Sequence, residues 1–256
     1  MRRIVRNWAV ALAVVIGATT FASADTLRAE LQSVYGQSVS YTLGSNAQKN
    51  TTAGRFNWIR ESDDPSTPGV NEAGTFPLDP TAPGDPFYSF CIDLTQTVYY
   101  NTPYEFTVES NLANGRDSVG YPPLGATIAN NIANFFGAVF PDLGGALSQV
   151  NAAALQISLW EIIYETPGTA FDVTSGNIKF ANNAAAIAQA TSYLNTFASF
   201  AGSAATGLHA LNSSRLQDQL IQVPDSPDTG NVPEPSTYAL MGIGLLAIGF
   251  FRRKVA

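Results

Sequence analysis

The chain has 256 residues, of which 45% are hydrophobic and only 13% charged; this excludes a disordered acidic chain and supplies enough apolar side chains for a sizeable core. One cysteine excludes an internal disulfide and one histidine disfavours a histidine-based zinc site, so we expect no metal and no other cofactor. Residues 25–231 hold 7 basic and 19 acidic residues, a balance that repels phosphates and predicts no binding to nucleic acid.

The N-terminal segment, residues 1–24, is typical of a secretory signal peptide. Three arginines come first, an apolar run follows, and Ala, Ser and Ala at positions 22–24 supply the small residues of a cleavage site. This order predicts recognition by the export machinery and a mature chain that begins at Asp25.

The first half of the exported domain, residues 25–222, shows strand patterns. Runs rich in aromatic and β-branched residues predict four strands, at 38–43, 55–59, 87–94 and 98–108. Between the second and third strands, residues 61–86 contain six prolines and predict a long loop.

The second half of the domain is rich in alanine and poor in residues that break helices. It predicts three helices and one returning strand, at 126–140, 148–164, 177–200 and 216–223. Phe180 is placed on the core-facing stripe of the last helix. Strands followed by helices predict an α+β fold, with a β-rich subdomain that is followed by a helical subdomain or that carries a helical insertion.

Cys91 is the first candidate for chemistry. Alternation within 87–94 places Cys91 with Ser89 and Asp93 on the strand face opposite the aromatic side chains. A reactive thiol and a plain buried thiol both fit this position, because free cysteine is among the most buried residue types.

Gln156 is the second candidate, because it lies in a predicted helix that is apolar on nearly every side. A buried carboxamide without partners costs about 1–3 kcal/mol, so Gln156 has either a hydrogen-bond network or a chemical role. Trp160, one turn later, fits either a core residue or a shield for that chemistry. Glu161 is expected to cap the helix or to face solvent.

The two candidates together resemble a known family. Phe-Cys-Ile-Asp at 90–93, followed by Leu-Gln-Ile-Ser-Leu-Trp at 155–160, is similar to the paired motifs of the bacterial thioester domain of surface adhesins. The resemblance implies that the side chains of Cys91 and Gln156 condense, lose ammonia and form an internal thioester. Such a bond acylates an amine or hydroxyl on a surface target, which the sequence does not identify. Asp93 and Trp160 are the candidate supporting residues.

Two other functions remain open at this point. One is a non-covalent structural or carbohydrate-binding matrix protein, in which Cys91 is a plain thiol and Gln156 a network residue. The other is a secreted thiol enzyme that uses Cys91, for which His209 is the single imidazole in the chain. A thioester protein reacts once, so we expect no enzyme activity with turnover.

The C-terminus follows a polar linker at residues 223–231. It contains Val-Pro-Glu-Pro-Ser-Thr, an apolar run shorter than the ~20 residues of an ordinary spanning helix, and a terminal Arg-Arg-Lys. This order, centred on Pro233, Glu234 and Pro235, resembles the PEP-CTERM sorting signal over residues 232–256. The resemblance implies a short transmembrane sorting helix, transient anchoring in the inner membrane, processing by an exosortase, and delivery to the cell surface or extracellular matrix.

Overall fold

The computed structural model describes residues 26–60, 86–116, 120–142, 144–166 and 168–223. The predicted signal peptide, most of the predicted loop after residue 60, nearly all of the linker and the whole sorting segment lie outside these ranges. The predicted domain boundaries therefore stay predictions. None of the helices that the structure describes has the length and apolar character needed to cross a membrane.

The described strands form one antiparallel sheet. They are β1 (Thr26–Leu43), β2 (Lys49–Arg60), β3 (Pro86–Cys91), β4 (Pro103–Glu109), β5 (Ile178–Ala181), β6 (Leu208–Asn212) and β7 (Gln219–Gln222). Because β1 pairs with both β2 and β4, six strands in the order β1-β2-β3-β7-β6-β4 close into a barrel. The remaining strand, β5, extends the sheet beside β1.

The long strand β1 makes this closure possible. Its first residues pair with β4, its last residues pair with β5, and β2 runs along its other edge. The register shifts between Leu31 and Ser33, a bulge of the kind that bends a strand. Further along, Gly36 opposes Gly54, and a Cβ on either glycine would collide with backbone of the partner strand. The backbones of β1 and β2 therefore approach each other closely at Gly36 and Gly54.

The described residues form three α-helices: α1 (Gly125–Val139), α2 (Gln149–Tyr164) and α3 (Ala184–Ala198). Of these, α2 packs directly on the barrel and α3 packs on α2. The side chain of Ser148 caps α2 by accepting the N–H of Asn151 at 3.2 Å. Every residue of α2 from Ala152 to Tyr164 is buried, because the helix packs against β1 and β2 on one side and α3 on the other. This burial places Gln156 in the middle of the protein.

The α+β class is confirmed, and of the two predicted arrangements the helical insertion is observed, whereas the succession of two subdomains is wrong. Strands β5, β6 and β7 follow α2 in the chain and complete the same sheet that the first strands begin. The pair formed by β6 and β7 closes the barrel between β4 and β3. The helices are therefore an insertion in a barrel rather than a separate C-terminal unit.

The helix predicted over 177–200 begins only at Ala184, so its start was wrong. Ile178 and Phe180 are buried while Lys179 is exposed, a period of two that belongs to β5, where Phe180 pairs with Tyr41. Asn183 then caps α3, and its side chain accepts the N–H of Ala186 at 3.1 Å. Phe180 consequently lies in a strand and not on the helix stripe.

The predicted strands also differ from the observed ones at their ends. The strand predicted over 98–108 begins at Pro103, because Asn101 has a φ of 53°, which interrupts an extended backbone. The strand predicted over 87–94 ends at Cys91. The returning strand predicted over 216–223 is confirmed as β7, whereas β6 was missed.

Candidate functional site

Cys91 and Gln156 meet where β3 ends beside α2. Both residues are fully buried. The Gln156 Oε1 atom accepts the backbone N–H of Cys91 at 2.8 Å, and the Gln156 Nε2 atom donates to the backbone carbonyl of Cys91 at 2.8 Å. The structure therefore brings the two predicted residues together through the carboxamide of one and the backbone of the other.

The reason for this pairing is a gap in the sheet. The β2–β3 ladder ends with Phe56 opposite Ser89, two residues before Cys91. Alternate residues of a strand direct their N–H and C=O groups to the same side, so the groups of Cys91 point to where β2 has already turned away. The carboxamide of Gln156, which carries one donor and one acceptor, takes the place of the missing strand.

The Cys91 thiol is protonated and enclosed. Its Sγ atom donates to the backbone carbonyl of Asp93 at 2.8 Å and accepts the Asp93 N–H at 3.3 Å. Burial raises the pKa of the thiol well above its ordinary value, and the charge of Asp93 adds to this rise. The hydrogen bond from the Asp93 backbone and the nearby indole N–H of Trp160 lower the pKa and offset part of this rise. In this resting state the sulfur is a poor nucleophile toward molecules in solution.

Asp93 shapes the turn that follows β3. Its Oδ1 atom accepts two hydrogen bonds from Thr95, from the backbone N–H at 2.7 Å and from the hydroxyl at 2.6 Å. Its Oδ2 atom is buried and has no hydrogen-bond partner in the described part of the chain. The Asp93 side chain thus fixes the backbone beside the Cys91 thiol through Oδ1, while Oδ2 accepts no hydrogen bond from the described residues.

Trp160 lies one turn after Gln156 on α2. Its indole is almost completely buried and stacks on Phe180, with ring centroids 6.1 Å apart and an interplanar angle of 10°. The indole N–H lowers the pKa of the Cys91 thiol, although its geometry satisfies no hydrogen bond to any described residue. Trp160 is therefore both a core residue and an uncommitted donor beside the site.

Two residues that support the site were missed by the sequence analysis. The hydroxyl of Tyr164 accepts the N–H of Leu94 at 2.9 Å and so fixes the segment after Asp93. Gln219 pairs with Cys91 in the β3–β7 register, and its Oε1 atom accepts the Ser89 hydroxyl at 2.8 Å. Nothing in the local sequence indicates these contacts, because they depend on how distant elements align.

The expectation that Glu161 faces solvent was wrong. Glu161 is fully buried, because the loop after α2 folds back over the helix and the N–H of Asp172 donates to Glu161 Oε1 at 2.8 Å. Burial raises the pKa of this carboxyl from 4.5 to about 7, while the bond from Asp172 opposes the rise and the charges of Glu165 and Asp172 add to it.

Glu161 should make the protein less stable as the pH rises. Between pH 4.5 and 7 the folded protein keeps a proton that the unfolded chain releases, so the free energy of unfolding falls across this window. We expect Glu161→Gln to be about 1–3 kcal/mol more stable than wild type at pH 8, with the difference shrinking toward pH 4.5. Urea unfolding at a series of pH values measures this.

The matched control for this variant is Glu105→Gln, which changes an exposed carboxyl on β4. Its stability should follow that of the wild type across the same pH range. A gain in Glu161→Gln that is the same at every pH would assign the effect to packing rather than to titration.

The comparisons with known proteins identify the C-terminus. Residues 231–254 match the PEP-CTERM protein-sorting motif. The chain carries an exosortase sorting signal. This confirms the interpretation of the segment around Pro233, Glu234 and Pro235, and it indicates an exported protein that an exosortase processes and that is sorted to the cell surface.

The comparisons say less about the domain between the two ends of the chain. A comparison with curated proteins gives no match. One solved structure with some similarity is the N-terminal thioester domain of a surface protein from Clostridium perfringens, at 10% sequence identity and a TM-score of 0.35, covering 72% of this chain and 98% of that chain.

Proposed function

We propose that this exported surface protein attaches covalently to a target through an internal thioester between Cys91 and Gln156. The observation that carries the proposal is the double hydrogen bond between the Gln156 carboxamide and the Cys91 backbone. Because Oε1 and Nε2 both contact Cys91, the carbon that bears them is held beside the residue that carries the thiol. A fully buried pair also excludes the water that would hydrolyse a thioester.

The bond forms by attack of the Cys91 sulfur on the Gln156 Cδ atom. The C–N bond breaks, and the amide nitrogen leaves as ammonia with the proton of the thiol. The attack requires a rotation about the Cα–Cβ bond of Cys91 that takes the sulfur away from the Asp93 carbonyl and toward Cδ. The Cys91 N–H, which already donates to Oε1, stabilises the negative charge that develops on that oxygen. The uncommitted Oδ2 of Asp93 is the group that carries the proton.

The attachment step uses the thioester once. An amine or hydroxyl of the target attacks the Gln156 carbonyl carbon, the C–S bond breaks, and an amide or ester forms. The proton of the attacking group ends on the Cys91 sulfur, where burial favours the neutral thiol. The protein stays joined to its target, so the reaction is covalent capture without turnover.

A non-covalent matrix protein is the second candidate, and one observation favours it. The donor and the acceptor of the Gln156 carboxamide and the Cys91 thiol are all hydrogen-bonded as they stand, which is also what a purely structural network needs. In that case Cys91 remains a free thiol throughout the life of the protein.

A thiol count separates the two candidates. The chain has a single cysteine, so the full chain, exported and unfolded in guanidinium, releases at most one thiol. A thioester predicts no titratable thiol before hydroxylamine treatment and one thiol after it. Gln156→Ala should show one thiol in both conditions, and Cys91→Ala should show none. One thiol in untreated wild-type protein would favour the non-covalent candidate.

A further inference from the structure

A groove of about 380 Å³ lies along the segment that follows β3. A smaller pocket of about 100 Å³ shares Tyr41, Lys49, Leu94 and Thr95 with it. The groove and the pocket thus flank Leu94 and Thr95, which directly follow Asp93. The volume of the groove, about 380 Å³, is within the range of about 300–1,000 Å³ that is usual for small-ligand sites. We call this feature the acceptor groove.

The segment that follows Cys91 begins with a backbone bond, from the Ile92 N–H to the Asp218 carbonyl at 2.9 Å, and is then held by side chains. Leu94 donates its N–H to the hydroxyl of Tyr164 at 2.9 Å and accepts a bond from the hydroxyl of Tyr41 at 3.3 Å. The carbonyl of Gln96 accepts a bond from Gln217 Nε2 at 3.2 Å. Residues 92–98 belong to no strand, so moving them breaks no continuous ladder. A ligand in the groove therefore lies next to the part of the backbone that covers the thiol.

The lining of the acceptor groove is rich in neutral hydrogen-bonding groups. Hydroxyls and amides come from Asn50, Thr51, Thr52, Thr95, Thr97 and Gln217. These groups both donate and accept hydrogen bonds, as sugar hydroxyls do. At the rim, Tyr100 is 54% exposed, and its electron-rich ring face suits the C–H face of a sugar ring.

The charge of the acceptor groove argues against a cationic target. Lys49 is the one charged residue among the described residues that line it, and none of these is acidic. A lysine side chain of a target protein would meet repulsion there rather than a carboxylate partner. The lining therefore favours a hydroxyl acceptor over an ammonium group.

We infer that the acceptor groove binds a saccharide and presents one of its hydroxyls to the Cys91–Gln156 thioester. The binding step stands by itself, and the transfer step rests on the function proposed above. In the transfer, the sugar oxygen bonds to the Gln156 carbonyl carbon, the C–S bond breaks, and the hydroxyl proton passes to sulfur. The product is an ester between the protein and the saccharide.

Binding is tested with the full chain carrying Cys91→Ala, which cannot form a thioester. The probes are maltohexaose and cellohexaose, titrated by calorimetry. We expect saturable binding of at least one probe and about tenfold weaker binding when Tyr100→Ala is added. The matched control is Tyr99→Ala, which removes a 66% exposed tyrosine next in sequence but outside the groove lining. No saturable binding of either probe, or equal losses in both tyrosine variants, overturns the inference.

Transfer is tested with wild-type protein, because the two proposals then fail in different ways. Incubation with the bound hexaose should give an adduct that hydroxylamine removes, formed faster than any adduct with a lysine-containing peptide. Faster reaction with the peptide overturns the saccharide inference. Uptake of methylamine without a saccharide adduct would support the thioester and contradict transfer to a saccharide. Saccharide binding without uptake of methylamine would support the groove as a binding site and contradict the thioester.

Discussion

In the Cys91→Ala background, which keeps the Gln156 carboxamide because no thioester can form, replacing Gln156 by alanine should lower the free energy of unfolding by about 2–5 kcal/mol. In the wild-type background the same change should leave Cys91 as a free thiol. The variant removes the partners of the Cys91 N–H and C=O groups, which lie in a fully buried site where water does not replace them. Each buried group left unpaired costs about 1–3 kcal/mol, and the lost side chain adds a cavity. Denaturant unfolding and thiol titration of the full chain measure the two effects.

Two further variants sharpen this result. Gln149→Ala changes an exposed glutamine at the start of the same helix and should stay within about 0.5 kcal/mol of wild type. Gln156→Glu has the atoms of a hydrolysed thioester, and its mass should equal that of wild-type protein after hydrolysis. If, in the Cys91→Ala background, Gln156→Ala is as stable as Gln149→Ala, the carboxamide does not replace a missing strand as described.

Replacing Trp160 by alanine should destabilise the protein by about 3–5 kcal/mol and shorten the lifetime of the thioester. The indole is almost completely buried and stacks on Phe180, so its removal leaves a large cavity beside Cys91. Water that enters this cavity can attack the thioester carbonyl of Gln156 and hydrolyse the bond. Trp160→Phe keeps one aromatic ring and leaves a smaller cavity than Trp160→Ala, so its thioester should survive longer than that of Trp160→Ala.

The control for general loss of stability is Trp58→Phe. Trp58 is also fully buried, but its indole N–H donates to Ser89 at 2.7 Å and its ring packs against Phe106. This variant should lose stability while its thioester decays at the wild-type rate, followed by mass over time. Equal decay rates in Trp58→Phe and Trp160→Ala would mean that Trp160 has no specific shielding role.

The fold was predictable where one element carries its own pattern. The apolar character of α2 and the aromatic alternation before Cys91 indicate a buried helix and a buried strand, and both are observed. The barrel closure was not predictable, because it depends on one long strand that changes partners along its length. Likewise, the residues of β5 were assigned to the helix predicted over 177–200, because they lie beside a run of alanines that favours a helix.

The sequence predicted which two residues form the candidate site, Cys91 and Gln156, but not the hydrogen bonds that join them. A lone glutamine in an apolar helix and a lone cysteine in an aromatic strand each required an explanation from sequence alone. The bonds between them follow from the early end of the β2–β3 ladder, which no local pattern encodes. Glu161 was misplaced for a related reason, because a loop eleven residues later in the chain covers it.

The central claim is the Cys91–Gln156 bond, and the intact mass of the freshly exported protein tests it most directly. The exported protein is measured at neutral pH, with and without methylamine, and its mass is compared with that of the sequence after removal of the signal and sorting segments. A thioester predicts a mass below that of the sequence by one ammonia, and methylamine should add its whole mass while exposing one thiol. A mass equal to that of the sequence, unchanged by methylamine, would contradict the account.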